Sequence, residues 1–205
     1  MKTGRQPIEQ ALFCALEFNR SHADLGESEL TGPALQFRNK IRRHLRILET
    51  RHLVWPDEAA CESFARELAR CPGLMNCSIE LHGTLGAGKT TLVRHLLRAL
   101  GVTGRIKSPS YAVLESYELA QGTASHFDFY RFENPREWED AGFRDVFTAP
   151  GLKLSEWPEK AAGMLPVADI QVWLTTRETD EARLVDLRAG TALGVQVLNG
   201  LEGQE

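Results

Sequence analysis

A glycine-rich segment of this chain matches the pattern of a phosphate-binding loop: Gly83-Thr84-Leu85-Gly86-Ala87-Gly88-Lys89-Thr90. Glycines at its two ends let the loop curl so that successive backbone N–H groups point at phosphate oxygens. A helix beginning near Gly88 adds the partial positive charge of its N-terminus. Lys89 supplies a full charge to the β- and γ-phosphates, and the Thr90 hydroxyl is the expected Mg²⁺ ligand. The segment predicts a site for a nucleoside triphosphate with magnesium.

The base of that nucleotide is better predicted as adenine than as guanine. GTPases of this class read guanine with an Asn-Lys-x-Asp segment that follows the phosphate loop. The Asn-Lys pair of this chain, Asn39-Lys40, precedes the loop and is followed by Ile-Arg. ATP is therefore the expected cofactor, together with Mg²⁺.

Magnesium in such sites also needs a carboxylate at the end of a strand, and two acidic residues qualify. Asp128 lies in the segment 125–131, and Glu156 directly follows a predicted strand at 152–155. Either carboxylate could hold a magnesium-bound water or orient the attacking water. From spacing alone, an ordinary salt-bridged or capping carboxylate is the other interpretation of each residue. The flanking His126, Arg131 and Trp157 are more typical of structural residues.

The elements that must position these groups alternate between strand and helix patterns. A strand at 78–82 leads directly into the phosphate loop, and a helix at 91–100 follows it. Helices are also predicted at 56–70 and from Asn134-Pro135 onward. Further strands are predicted at 111–119, 125–130, 152–155, 170–175 and 183–187. We predict an α/β fold: a P-loop NTPase-like three-layer sandwich with a mixed, mainly parallel sheet and a partly helical N-terminal extension.

The first 50 residues differ from the rest, which gives two regions: an extension at 1–50 and an ATPase domain at 51–205. The extension has eight Lys/Arg against six Asp/Glu and one candidate amphipathic helix. The apolar positions of that helix are Phe37, Ile41, Leu45 and Leu48. A helix docked on the domain, a poorly ordered extension and a contact with a partner or RNA all remain open.

Composition limits the function classes further. The chain has 205 residues, 25% charged residues and a net charge of -4, which argues against general affinity for nucleic acid or anionic membrane. It contains no apolar run of about 18 residues and no visible signal peptide, so we expect a cytoplasmic protein with no membrane contact. Four cysteines without a C-x-x-C pair are expected to be reduced thiols: Cys14, Cys61, Cys71 and Cys77.

Four motifs, in their order along the chain, resemble those of the TsaE family, also called YjeE. Its members are small bacterial P-loop ATPases. The motifs are Gly83 to Thr91, Lys107-Ser108-Pro109-Ser110-Tyr111, His126-Phe127-Asp128-Phe129-Tyr130-Arg131 and Glu156-Trp157-Pro158. The resemblance extends from about Trp55 to Leu187 and does not cover the first 50 residues. Proteins of this family are needed to make threonylcarbamoyladenosine in tRNA.

The resemblance implies roles for individual residues. Lys89, Asp128 and Glu156 correspond to catalytic positions, and Thr90 and Glu156 to the metal site. Ser108-Pro109-Ser110 corresponds to a switch-like segment, whereas Glu58 and Arg183 resemble acidic and basic positions near the nucleotide. The implied nucleotide-binding set is Glu58, Gly83, Thr84, Leu85, Gly86, Ala87, Gly88, Lys89, Thr90, Thr91, Ser108, Ser110, Asp128 and Arg183. Thr84 departs from the family's usual acidic residue, but the position contributes backbone to the loop, so ATP binding should survive.

The resemblance also implies a partner. Family members hydrolyse ATP poorly alone and dock on a TsaB–TsaD heterodimer, where ATP hydrolysis resets the complex between rounds of transfer. Contact with tRNA is then only indirect. Two alternatives remain: an inert ATP-binding regulator, and a small-molecule or nucleotide kinase with a lid arginine from Arg131, Arg136 or Arg144.

Overall fold

The computed structural model describes residues 47–132, 138, 141–177 and 181–201. Residues 1–46 of the predicted extension and the helix predicted to open at Asn134-Pro135 lie outside these residues, so both stay predictions. Among the described residues, no helix is long and apolar enough to span a lipid bilayer.

A seven-stranded sheet forms the centre of the fold, in the order β1-β7-β6-β2-β5-β4-β3. The pairs β2–β5, β2–β6 and β4–β5 are parallel, while β1–β7, β6–β7 and β3–β4 are antiparallel. All strands except β3 and β7 therefore point the same way, which confirms the predicted mixed, mainly parallel sheet. The strands are β1 Glu49–Trp55, β2 Ser78–His82, β3 Leu114–Leu119, β4 Gly122–Asp128, β5 Leu152–Glu156, β6 Ile170–Thr176 and β7 Arg183–Ala189.

Helices lie on both faces of this sheet. The described helices are α1 Glu58–Leu68, α2 Lys89–Ala99, α3 Phe143–Thr148 and α4 Ala192–Asn199. On one face, Leu152 and Leu154 of β5 join a single apolar cluster with buried residues of α1, α2 and α4. On the other face, Phe127 of β4 packs against Phe143 and Phe147 of α3, with ring centroids 5.6 and 4.7 Å apart. The predicted three-layer arrangement follows from these two clusters, since strand residues alternate between faces.

Local sequence explains where α1 and α2 begin. The Asp57 side chain accepts a hydrogen bond from the Ala60 N–H at 2.9 Å, which caps the first turn of α1. Gly88 precedes α2 with φ +107°, a conformation in which a side chain is disfavoured. Because α2 begins at Lys89, three predicted site residues occupy its first turn, where the helix dipole is most positive.

Several predicted elements differ from the structure in extent. The strand predicted at 111–119 begins only at Leu114. The preceding residue, Val113, has φ 64°, which is incompatible with the extended backbone of a strand. The strand predicted at 125–130 occupies Gly122–Asp128 and ends where the Tyr130 N–H turns back to Asp128 Oδ1 at 2.9 Å. Three elements were not predicted at all: β1, α3 and α4.

The last apolar position of the predicted amphipathic helix, Leu48, is not helical in the structure, because it lies directly before β1. Leu48 is 54% exposed, and its N–H donates to the Ala189 carbonyl at 2.8 Å, next to the strand that begins at Glu49. The sheet therefore begins before the predicted domain boundary at residue 51. Cys61, Cys71 and Cys77 are free thiols, in agreement with the prediction, and all three are buried, whereas Cys14 lies outside the described residues.

Candidate functional site

The carboxyl ends of three parallel strands place the candidate residues at one edge of the sheet. The phosphate loop follows β2, while Asp128 and Glu156 are the last residues of β4 and β5 and pair with each other in register. Leu81 of β2 pairs with Glu156 on its other side. Open α/β sheets bind ligands at this edge. A cavity of about 380 Å³ lies there, lined by Leu85, Gly86, Gly88, Lys89, Thr90, Thr91, Ser108, Ser110, Tyr111, Asp128, Tyr130, Arg131, Glu156 and Trp157.

The loop from Gly83 to Gly88 needs glycine for two different reasons. Gly83, Gly86 and Gly88 all have positive φ, at +141°, +79° and +107°. At Gly83 there is also no room, because a Cβ atom would lie 2.5 Å from the Leu174 carbonyl oxygen of β6. The loop is thereby held against the neighbouring strand, with its backbone free to face the cavity.

Lys89 points back into this loop and is almost fully buried. Its Nζ donates to the carbonyl oxygens of Gly83 and Thr84 at 2.7 and 2.8 Å, and lies 3.9 Å from the ring centroid of Trp157. Burial lowers the pKa of Lys89, while nearby carboxylates, Glu156 foremost, act in the opposite direction. Because Nζ lies between these carbonyl oxygens, the ammonium group of Lys89 places its positive charge inside the phosphate loop.

Thr90 and Glu156 are in direct contact. The Thr90 hydroxyl donates to Glu156 Oε2 at 2.9 Å, and the carboxylate is buried. The other carboxylate oxygen, Oε1, lies 2.9 Å from His126 Nε2. Among the described residues, no group of three or more His, Cys, Asp or Glu side chains could hold a metal ion alone. The oxygens of Thr90 and Glu156 are of the type that a hard cation such as Mg²⁺ prefers.

Asp128 links the site to the segment after α2. Its Oδ2 atom accepts hydrogen bonds from the hydroxyls of Ser108 and Ser110, the latter at 2.8 Å. Its Oδ1 atom accepts the Tyr130 N–H at 2.9 Å. The hydroxyl oxygens of Ser108 and Ser110 lie 3.0 Å from each other. The predicted switch segment is therefore hydrogen-bonded through both serines to a buried carboxylate.

Two predicted residues outside the phosphate loop, Glu58 and Arg183, do not line the cavity, and neither do Gly83, Thr84 and Ala87 within the loop. Glu58 Oε1 lies 3.0 Å from His95 Nε2 and so joins α1 to α2. Arg183 Nε donates to the Ala87 carbonyl of the phosphate loop at 3.1 Å. Arg183 therefore supports the loop backbone from β7.

Several residues of the site were not among those predicted to act. Tyr111, Tyr130 and Trp157 line the cavity, and Arg131 lies 4.3 Å from the Tyr111 ring centroid. His126 is fully buried beside Glu156. One signal was available for His126: it lies two residues before Asp128 on a strand, so both side chains share a face.

The chain is similar to known proteins over most of its length. A family model described as threonylcarbamoyl adenosine biosynthesis protein TsaE matches residues 55–185. The Haemophilus influenzae protein named tRNA threonylcarbamoyladenosine biosynthesis protein TsaE is 39% identical over 148 residues, covering 70% of this chain and 92% of its own. The Bacillus subtilis protein of the same name is 31% identical over 112 residues, covering 55% of this chain and 70% of its own.

A solved structure supports the fold. The crystal structure of Bacillus subtilis YdiB superposes with a TM-score of 0.61 at 22% identity, covering 75% of this chain and 94% of that one. At this identity the likeness concerns the fold alone. The family assignment rests on the match over residues 55–185 and on the sequence relatives. The chain belongs to the TsaE family.

Proposed function

We propose that this protein is a Mg²⁺-dependent ATPase of the machinery that makes threonylcarbamoyladenosine in tRNA, acting on a TsaB–TsaD complex. The observation that carries the proposal is the contact of Thr90 with Glu156 beside a buried Lys89 inside a glycine loop. The names of the relatives supply the pathway, and the site geometry supports the chemistry.

Phosphate binding follows from three sources of positive potential that converge on the cavity. They are the loop N–H groups, the N-terminus of α2 and the Lys89 ammonium. Lys89 already donates to carbonyl oxygens of Gly83 and Thr84. A phosphate oxygen is a stronger acceptor because it is charged, so the ammonium group can exchange these partners for the nucleotide. The same charge opposes the effect that burial has on the pKa of Lys89.

The donor set fits magnesium, since hard cations prefer hydroxyl, carboxylate and phosphate oxygens. Thr90 and Glu156 would hold it, and the ion would supply neutralisation of the charge that develops on the phosphates. Asp128 would orient the attacking water from the adjacent strand end. Its hydrogen bonds to Ser108 and Ser110 would couple that task to the switch segment.

Dependence on a partner is supported by the open rim of the cavity. Leu85, Tyr111 and Tyr130 line it and are 75%, 85% and 42% exposed. An active site open to water gains less from its charges than a closed one. A protein that covered these apolar side chains would exclude water, whereas the net charge of -4 favours a protein partner over direct contact with tRNA.

A kinase on the same fold is the second candidate, because Arg131 lies at the cavity where a lid arginine could meet the phosphates. In the structure Arg131 instead packs on the Tyr111 ring. An inert ATP-binding regulator is the third. These functions differ in their products.

Phosphate release separates the three candidates. We expect slow release from Mg·ATP by the protein alone and faster release when TsaB–TsaD is added. The Glu156→Gln variant should bind ATP but release no phosphate, either alone or with TsaB–TsaD. Transfer of phosphate to a small acceptor without TsaB–TsaD would favour the kinase. Bound ATP that is never cleaved, with or without the complex, would contradict the proposal.

A further inference from the structure

His126 is a fully buried polar residue whose side chain contacts Glu156 of the candidate metal site. It lies on β4, two residues before Asp128, and its Nε2 atom is 2.9 Å from Glu156 Oε1. The second oxygen of that carboxylate, Oε2, accepts the Thr90 hydroxyl at 2.9 Å. The two oxygens of Glu156 thus have separate partners, His126 for Oε1 and Thr90 for Oε2.

The other ring nitrogen determines which way this contact runs. Within the described part of the chain, His126 Nδ1 is buried and has no hydrogen-bond partner. A proton on Nδ1 would leave a buried donor without an acceptor and would give Nε2 no hydrogen to donate to the carboxylate. The tautomer with its proton on Nε2 satisfies the Glu156 oxygen and leaves only a lone pair at Nδ1.

We propose that His126 is a positioning residue for Mg²⁺ binding: it donates from Nε2 to Glu156 Oε1 and so holds Oε2 next to the Thr90 hydroxyl. This inference rests on the proposed function, because it needs a cation at Thr90 and Glu156. Residues that orient a metal ligand in this way typically change metal affinity about 10- to 100-fold when they are replaced.

Two substitutions of His126 form a matched pair. His126→Gln places an amide nitrogen near the position of Nε2, and His126→Asn places one near Nδ1, too far from Glu156 to donate. Affinity for a fluorescent ADP analogue is measured at increasing Mg²⁺ and without it. The half-saturating Mg²⁺ concentration should rise about tenfold or more in His126→Asn and much less in His126→Gln. Nucleotide affinity without Mg²⁺ should be the same in wild-type protein and both variants.

Each result bears on a different claim. If both variants respond to Mg²⁺ like the wild type, or if both lose the response equally, His126 has no positioning role through Nε2. If the wild-type protein itself binds nucleotide without any effect of Mg²⁺, the proposed metal site fails, and the role of His126 fails with it.

A measurement on the unmodified protein does not depend on how the variants fold. ¹⁵N NMR of labelled histidine reports which ring nitrogen of His126 carries the proton. We expect the proton on Nε2, hydrogen-bonded to the carboxylate. A proton on Nδ1 alone would overturn the proposal.

Discussion

Replacing Gly83 with alanine should lower the stability of the protein much more than the same change at Gly86. Both residues have positive φ, so each substitution carries a backbone cost of about 1–2 kcal/mol. At Gly86 nothing lies within 4 Å of the new Cβ, so this cost is the whole effect. At Gly83 the Cβ would lie 2.5 Å from the Leu174 carbonyl oxygen and 3.0 Å from Ala87 Cβ.

Relief of that contact requires the phosphate loop to move away from β6, and overpacking of this kind typically costs a further 1–3 kcal/mol or so. We therefore expect a loss of about 3.5 kcal/mol in the free energy of unfolding for Gly83→Ala and about 1.5 kcal/mol for Gly86→Ala. Urea unfolding of the two variants and the wild type, with m-values compared, measures the difference. Equal stability of the two variants would refute the close approach of the loop to β6.

Three further predictions concern the site and the core. Thr90→Ala should weaken Mg²⁺-dependent hydrolysis more than nucleotide affinity, because the hydroxyl acts through the metal; equal losses in a paired rate and binding measurement would contradict this. Asp128→Asn should leave ATP bound but slow hydrolysis by about 100-fold, the order typical of an orienting group at a transition state; unchanged single-turnover rates would make this carboxylate structural. Burial raises the pKa of the Cys77 thiol to about 12, so at pH 8 it should resist alkylation until urea unfolds the chain, and rapid labelling of native protein would contradict its burial.

Local pattern was sufficient for the part of the fold that carries the phosphate loop. The strand at Ser78–His82, the glycine loop and the start of a helix close to Lys89 all follow from neighbouring residues. The end of β5 could also be predicted to within one residue, since the strand predicted at 152–155 ends at Glu156 in the structure. These are features that short-range sequence determines.

The missed elements owe their structure to distant contacts. In β1, Arg51 is half-buried on the same face as Leu53 and Trp55 and donates to Asn199 Oδ1 and to the Leu201 carbonyl, so a charged residue occupies a position where the strand pattern calls for an apolar one. In α4, Gly194 lowers helix propensity but is required, because a Cβ there would lie 1.9 Å from the Asp169 carbonyl oxygen. Neither reason can be read from the segment itself.

The same limit applies to the site. The pairing of His126 with Glu156 depends on the register between β4 and β5, and the position of Trp157 over Lys89 depends on a backbone with φ 56° after β5. Spacing along the chain does not encode either contact. Glu58 and Arg183 show the converse: a position near the site does not place a side chain in the cavity.

Calorimetric titration of Mg·ATP into wild-type protein and into Lys89→Ala tests the central claim most directly. We expect saturable binding to the wild type and none to the variant, because the buried ammonium of Lys89 places a full positive charge inside the loop, where it donates to the Gly83 and Thr84 carbonyl oxygens. Urea unfolding of both proteins controls for a loss of fold. Equal affinity of the two folded proteins for Mg·ATP would contradict the assignment of the site.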